Sequence, residues 1–165
     1  MTDTRLHLAQ LNIGRLRYPS DDPRVADFMN NLDLINGLAE RSKGFVWRLK
    51  GDGGNATDVR AYDDPQMIVN LSVWESVEAL ERFVWLTVHK RFYGRRQEWF
   101  DKLEGPHLVL WRIPAGHRPT VNEAKERIEY LTAHGPSDYA FGWESVAAAQ
   151  LWKTAQCAAP SGRVA

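Results

Sequence analysis

The stretch "QMIVNLSVWESVEALERFVWL", residues 66–86, contains the transition that decides the fold. Its first ten residues have the length and composition of a β-strand, with polar Asn70 and Ser72 at alternate positions. Ser76 can then cap a helix that begins with "VEALERFVWL". The helical spacing of apolar residues predicts that this helix continues to Phe100 or Leu103, with Gly94 as the candidate for a break.

The sequence on either side predicts three more strands and two more helices. Asp22 before Pro23 suits an N-cap followed by proline, and Thr120 with Glu123 forms a capping box. The strands are expected at 5–13, 45–50 and 105–113, and the helices at 22–43 and from 120 to about 133. Residues 51–65, "GDGGNATDVRAYDDP", have the composition of a long hairpin connection.

The resulting order, βαββαβ followed by an added helix, predicts an α+β protein with the ferredoxin-like arrangement. In that arrangement strands one and three are central, and strands four and two flank them. Residues 1–141 are expected to form this single domain. Residues 142–165 are expected to form an alanine-rich C-terminal extension, either a frayed tail or a short extra helix.

Both faces of the predicted sheet are apolar. Strand two is expected to place Phe45, Trp47 and Leu49 opposite Val46, and strand four to place Val109, Trp111 and Ile113 opposite Leu108 and Leu110. A sheet that is apolar on both faces has to be covered twice. The pattern therefore predicts a homodimer in which the second protomer covers the face that the helices leave open.

Composition narrows the class of protein. The 165 residues carry 21 Lys+Arg and 21 Asp+Glu, so the formal net charge is zero, which does not favour nucleic-acid binding. The N-terminus lacks the apolar core of a signal peptide, and no apolar run is long enough for a membrane span. With a single cysteine, Cys157, the chain is expected to be a cytoplasmic protein that acts without nucleic acid or membrane.

A polar cluster is predicted at the centre of the sheet. Gln10 and Asn12 share one face of strand one, and Asn70, Ser72 and Trp74 share one face of strand three. Because the two strands are expected to be neighbours, these side chains meet if the two faces coincide. Buried amides need hydrogen-bond partners, so the cluster is either a self-satisfied network that fixes the strand register or the polar floor of a pocket.

The predicted second helix has two stripes. Trp85, His89 and Phe92 or Tyr93 are spaced as one connected stripe, and Leu80, Val84 and Val88 form an aliphatic stripe that belongs to the core. Lys90 and Arg91 lie off both stripes, so the cations face water and do not form a base-stacking groove.

His89 is the candidate proton carrier in this helix, because burial and neighbouring groups can move a histidine pKa into the useful range. The alternative is a histidine that is merely hydrogen-bonded at the helix surface. Arg96 could hold a carboxylate or phenolate, or be a surface cation. The five histidines show no metal-ligand spacing, so no metal is expected, although His89 alone could be the axial ligand of a haem.

Several segments resemble the domain-of-unknown-function 3291 family over about residues 5–141. They are "HLAQLNI", "GFVWRL", "GNATDVRAYDDPQMIVNLSVWESVEAL", "RRQEWF" and "GPHLVLWRIPAGHRPTVNEAKERIEYLTAHGPS". The resemblance implies membership of the dimeric α+β barrel superfamily, which includes antibiotic-biosynthesis monooxygenases and haem degraders. Asn12 resembles in placement an asparagine of the haem degraders. Phe83 stands where their tryptophan would align and His89 is not at the matching spacing, which argues against haem degradation.

Three functions follow from these residues and from the resemblance. The first is a cofactor-free enzyme for a small hydrophobic, aromatic or polyketide-like molecule, acting by oxygenation or by cyclisation or isomerisation. There His89 would be the base, Asn12 with Asn70 the amide donors, and Trp74, Trp85 and Tyr93 flat walls. The second is a haem protein with His89 as axial ligand, and the third is a non-catalytic ligand-binding or structural dimeric module.

Overall fold

The computed structural model describes residues 4–87 and 89–146, and within them a four-stranded antiparallel sheet and five helices. The strands are β1 (Leu6–Arg15), β2 (Phe45–Arg48), β3 (Met67–Trp74) and β4 (Leu108–Pro114). The helices are α1 (Ala26–Arg41), α2 (Val77–Leu86), α3 (His89–Gly94), α4 (Arg96–Trp99) and α5 (Val121–His134). Short 3-10 turns lie at Pro23–Val25 and Trp143–Ser145. No helix in the described ranges is both long and apolar enough to cross a bilayer.

The strand order across the sheet is β2-β3-β1-β4, which is the order expected from the sequence. All three strand pairs are antiparallel. The register between β1 and β3 places Gln10 opposite Ser72 and Asn12 opposite Asn70. The two polar faces that the sequence indicated therefore coincide in the middle of the sheet.

The predicted caps start the helices. The side chain of Asp22 accepts a hydrogen bond from the backbone N–H of Arg24 at the turn that leads into α1. Ser76 Oγ accepts from the N–H of Ala79 at 3.2 Å, and Thr120 Oγ1 accepts from the N–H of Glu123 at 3.1 Å. Each cap satisfies an N–H group that a helix terminus leaves without an intrahelical partner.

The predicted long helix after Ser76 is interrupted earlier than expected. The break expected at Gly94 is found, since α3 ends there, but a further break at Thr87 was not expected, because Thr87 adopts an extended conformation and ends α2. Thr87 Oγ1 donates to the carbonyl of Phe83 at 2.5 Å and accepts from the N–H of His89 at 3.2 Å, so its side chain bridges α2 and α3. Val88, which the sequence placed in the aliphatic stripe, lies outside the described residues.

Helices α1 and α2 cover the first face of the sheet. The sheet contributes Leu8 from β1, Trp74 from β3 and Leu110 from β4 to one buried cluster. The helices contribute Ala39 of α1 and Leu80 of α2 to the same cluster. The polar pair Gln10 and Ser72 lies on this same face, between the apolar residues of the strands.

The second face of the sheet is covered by the chain itself. Helix α5 packs on this face through Ala124, Ile128 and Leu131, and residues 59–62 of the long connection pack beside it. The buried strand residues that they cover are Ala9, Leu11, Val69, Leu71, Val73, Val109, Trp111 and Ile113. The premise that a second protomer must cover this face is therefore removed. A homodimer no longer follows from the apolar pattern alone.

Strand β2 departs from the simple alternation that the sequence suggested. A register shift between Phe45 and Trp47 lets these two residues face opposite sides of the sheet. Phe45 packs with the first-face cluster, and Trp47 and Leu49 pack with the second-face cluster. A one-residue irregularity inverts the facing of every later side chain in a strand, which explains the error in the expected pattern.

Residues 140–146 are packed against the rest of the domain, so the packed region extends past residue 141, the boundary expected from the sequence. Leu110 and Phe141 exchange two backbone hydrogen bonds of 2.8 and 3.0 Å, which places this segment beside β4. Trp143 and Val146 are buried in the first-face cluster. The expected extension at 142–165 thus begins with residues that belong to the core, and its remainder from 147 onward lies outside the described residues.

Candidate functional site

A cavity of about 1270 Å³ lies between the first face of the sheet and the helices. Six of the seven site residues expected from the sequence line it, namely Asn12, Asn70, Trp74, His89, Tyr93 and Arg96. This volume exceeds the roughly 300–1,000 Å³ typical of small-molecule sites. The expected polar cluster and the expected histidine are therefore walls of the same space.

Gln10 is the centre of the polar cluster on the floor of the cavity. Its Nε2 donates to Asn70 Oδ1 at 2.7 Å and to Ser72 Oγ at 2.9 Å. Trp74 Nε1 donates to the same Ser72 Oγ, also at 2.9 Å. Gln10, Ser72 and Trp74 are all buried, so the two hydrogen bonds to Ser72 are shielded from water, whereas Asn70 is exposed.

The cluster is only partly self-satisfied. A serine hydroxyl has two lone pairs and one hydrogen, so the donors from Gln10 and Trp74 leave the hydrogen of Ser72 available. Asn70 uses its Oδ1 and retains its Nδ2 group, and the Asn12 amide makes no hydrogen bond within the described part of the chain. The floor of the cavity therefore offers hydrogen-bond donors to a bound molecule.

Trp74 lies at the inner end of the cavity and is almost wholly buried. Its ring stacks on Phe83 at a centroid distance of 5.2 Å and meets Phe45 edge-on at 5.4 Å. Phe83 in turn contacts the ring of His89 at 5.1 Å. The break at Thr87 brings His89 next to Phe83, whereas the continuous helix predicted from the sequence placed it next to Trp85.

His89 is partly buried against these rings. Its Nδ1 atom is sealed from solvent and has no hydrogen-bond partner within the described residues. Desolvation lowers the pKa of His89 to about 4, against a smaller opposing effect of a hydrogen bond with the backbone of Val84. The imidazole is therefore neutral near pH 7.

Tyr93 and Arg96 form the outer part of the wall. The Arg96 guanidinium lies over the Tyr93 ring, 4.3 Å from its centroid, and donates to the Tyr93 carbonyl at 3.1 Å. Arg96 is exposed and forms no ion pair with a described residue, so its charge is free to meet an anion. Trp85 contacts Tyr93 at 5.0 Å but does not line the cavity, so its predicted role as a substrate wall has no support from the geometry.

Asn36 and His107 line the cavity, although the sequence did not indicate them as site residues. Asn36 of α1 is 9 % exposed and lies on the cavity side of that helix. Asn36 follows Leu32 by four residues and Phe28 by eight, and this spacing places it on the same face of the helix as those two apolar residues. His107, just before β4, keeps part of its surface open to solvent at the cavity mouth, but partial desolvation of its ring and the nearby Arg96 charge lower its pKa.

The described residues contain no group of three or more His, Cys, Asp or Glu side chains that could hold a metal ion. Of the two ring nitrogens of His89, Nδ1 is sealed from solvent, and the ring lies between Phe83 and Tyr93. A haem iron or a substrate hydroxyl would therefore have to approach Nε2.

The fold and the cavity define an α+β protein with a four-stranded antiparallel sheet and a large, aromatic-walled cavity on one face. The chain belongs to the family described as "Domain of unknown function (DUF3291)", whose model matches residues 7–157. This match extends beyond the range of 5–141 over which the sequence showed the resemblance. No protein among the curated sequences matches the chain.

Three solved structures are similar to this chain at low sequence identity. A conserved protein from Methanosarcina mazei Go1 is 14 % identical with a TM-score of 0.45, over 68 % of this chain and 95 % of that one. PA3566 from Pseudomonas aeruginosa is 11 % identical with a TM-score of 0.44, over 67 % and 95 %. The NE2512 protein of unknown function from Nitrosomonas europaea is 13 % identical with a TM-score of 0.47, over 71 % and 98 %.

Proposed function

We propose that the protein is a cytoplasmic small-molecule enzyme of the monooxygenase-like, dimeric α+β barrel type. Its substrate is an apolar aromatic or polyketide-like molecule that binds between the sheet and the helices. The observation that carries this proposal is the set of hydrogen-bond donors on the cavity floor, centred on Ser72 and surrounded by aromatic rings.

The donors favour a substrate oxygen atom that accepts hydrogen bonds. The Ser72 hydroxyl and the amides of Asn70 and Asn12 all line the cavity, and they lie at neighbouring positions of β1 and β3. Fixed donors in a site that excludes water stabilise negative charge as it develops on a carbonyl or phenol oxygen. Such an arrangement suits an enolate or phenolate intermediate.

Cofactor-free oxygenation is the first reaction that this site would support. An electron-rich phenol loses a proton, and its anion reduces oxygen directly. A phenol with a free ring C–H then gives a quinone and water, with one oxygen atom of O₂ in each product. Cyclisation or isomerisation is the alternative, and it would use the same donors without oxygen.

His89 is proposed as the proton acceptor through Nε2, because Nδ1 is sealed from solvent, and the low pKa of the ring sets a further condition. A neutral imidazole whose pKa is about 4 is a weak base for a phenol, whose ordinary pKa is about 10. Its conjugate acid therefore has to be stabilised by the phenolate that the same proton transfer creates. Asn12 and Asn70 assist by lowering the pKa of the substrate hydroxyl.

Incubation of the purified protein with polycyclic phenols, in air and under anaerobic conditions, tests this proposal. Mass spectrometry with ¹⁸O₂ is expected to show one labelled atom in a quinone product if the reaction is oxygenation. Products that form equally without oxygen would identify cyclisation or isomerisation. If Asn12→Ala and His89→Ala fold and turn over as well as the unmodified protein, the assigned residues are wrong.

The dimeric barrel is part of the same proposal and rests on the superfamily resemblance. The chain mass is 18.9 kDa, so light scattering from a homodimer is expected to give twice that value. A mass of 18.9 kDa at micromolar protein concentration would contradict the proposed dimeric barrel, but it would leave the proposed substrate site in the cavity unaffected. An absorption spectrum after addition of haemin tests the haem alternative, which predicts a Soret band that His89→Ala removes.

A further inference from the structure

Helix α1 places one polar side chain among the apolar residues that face the cavity. Leu32, Ile35 and Ala39 line the cavity from this helix, and Asn36 lies among them. Only 9 % of Asn36 is exposed. A core-facing position of a helix is normally apolar, so the amide needs an explanation.

The Asn36 side chain makes no hydrogen bond within the described part of the chain. Asn31, five residues earlier on α1, does donate one, to the carbonyl of Asp27 at 2.7 Å. Asn36 lies in the interior of the helix, where the backbone groups bond to one another, so it has no capping role. The polar atoms of the Asn36 amide are not among the fully buried atoms, so they keep some exposure, and Asn36 lines the cavity. An amide that has no protein partner and can be reached from the cavity is available to a bound molecule.

A second buried group with unused hydrogen-bonding capacity faces the same cavity from the sheet. Ser72 is 6 % exposed, and its hydroxyl hydrogen is left free by the donors from Gln10 and Trp74. Asn36 therefore approaches the cavity from the helix side and Ser72 from the sheet side. Phe83 and Phe28 provide apolar surface to the same cavity.

We infer that Asn36 binds a hydroxyl or carbonyl group on the edge of the substrate that faces α1, opposite the edge held by Ser72. The substrate is then an aromatic molecule with oxygen substituents on two opposite edges. This inference rests on the proposed function and narrows its substrate class. An amide both donates and accepts, so the helix-side substituent is a hydroxyl or a carbonyl, whereas Ser72 requires an acceptor.

The test compares three probes of the same ring size: naphthalene, 2-naphthol and 2,6-dihydroxynaphthalene. Their dissociation constants are measured by calorimetry for the unmodified protein, for Asn36→Leu and for the control Asn30→Leu, an exposed position of the same helix. The unmodified protein is expected to bind the diol most tightly. Asn36→Leu is expected to weaken diol binding roughly three- to tenfold, the effect of one hydrogen bond, and to leave naphthalene unchanged.

The stability of the ligand-free variants separates a binding role from a structural one. Leucine has a similar shape to asparagine and needs no partner, so Asn36→Leu is expected to keep or raise the melting temperature. A lower melting temperature, or equal weakening of all three probes, would show that Asn36 supports the fold and would overturn the inference. If the unmodified protein binds none of the probes, the proposed aromatic substrate is wrong and the role of Asn36 falls with it.

Discussion

The indole Nε1 of Trp74 donates a 2.9 Å hydrogen bond to the hydroxyl of Ser72, two residues earlier on the same strand and on the same face. The hydroxyl also accepts from Gln10 of the neighbouring strand. One serine thus holds the tryptophan at the inner end of the cavity and joins β1 to β3.

Replacement of Ser72 by alanine is expected to lower the free energy of unfolding by about 1–3 kcal/mol, because it leaves the Trp74 N–H without a partner in a buried site. Denaturation by urea measures this change. Ser20→Ala, at an exposed turn, is the matched control and is expected to stay within about 0.5 kcal/mol of the unmodified protein. Equal effects of the two variants would contradict a buried role for the hydroxyl.

The depressed pKa of His89 predicts a loss of stability in acid. The folded protein binds the proton only near pH 4, whereas the unfolded chain binds it near pH 6.5. Stability is therefore fully present above about pH 6.5 and falls as the pH falls toward 4, by up to about 3 kcal/mol from this one group. His89→Gln is expected to flatten the profile over this range, and urea denaturation at successive pH values measures it.

The control for that experiment is His134→Gln, which also removes an imidazole but from an exposed position at the end of α5. If the profiles of His89→Gln and the unmodified protein run parallel between pH 4 and pH 6.5, the buried environment assigned to His89 is wrong.

Gly14 of β1 lies against the ring of Phe100. A methyl group at position 14 would come within 2.7 Å of two ring carbons, closer than real contacts allow. Gly14→Ala is therefore expected to displace Phe100 and to cost about 1–3 kcal/mol of stability. Gly53→Ala, where a methyl group would meet no atom within 4 Å, is the control and is expected to be close to neutral.

Arg96 at the cavity mouth is expected to favour acidic ligands. Arg96→Leu should weaken binding of 2-naphthoic acid by about two- to fivefold, since the guanidinium is exposed and solvent screens its charge. Binding of 2-naphthol should be unchanged. The control is Arg91→Leu, an exposed cation on α3 that does not line the cavity. The same loss at high and low salt would argue against an electrostatic role.

Much of the fold could be predicted from local patterns. The caps at Ser76 and Thr120 and the polar alternation of β1 and β3 are local features, and the strand order followed from the order of elements. The break at Thr87 was missed because the apolar spacing of residues 77–93 continues through it. The Thr87 hydroxyl donates to the carbonyl of Phe83, in competition with the backbone hydrogen bonds of the helix. The spacing of apolar residues contains no information about this side-chain hydrogen bond.

The composition of the site was harder to predict than its location. The polar floor was found because two strands carried matching alternations, but Asn36 looked like an ordinary helix residue until α1 was placed over the cavity. The cover of the second face was also missed. It depends on the long connection folding back so that residues 59–62 join α5, a non-local contact that composition alone does not reveal.

The pairing of Phe141 with Leu110 has a consequence for how copies of the chain can associate through their backbones. It occupies the backbone hydrogen-bonding groups of Leu110 on the outer side of β4, whereas the opposite sheet edge, β2, carries no such bridge within the described residues. An open-ended fibre would require two unoccupied sides on every subunit. Association through β2 would therefore stop at a closed pair and would not propagate into a polymer.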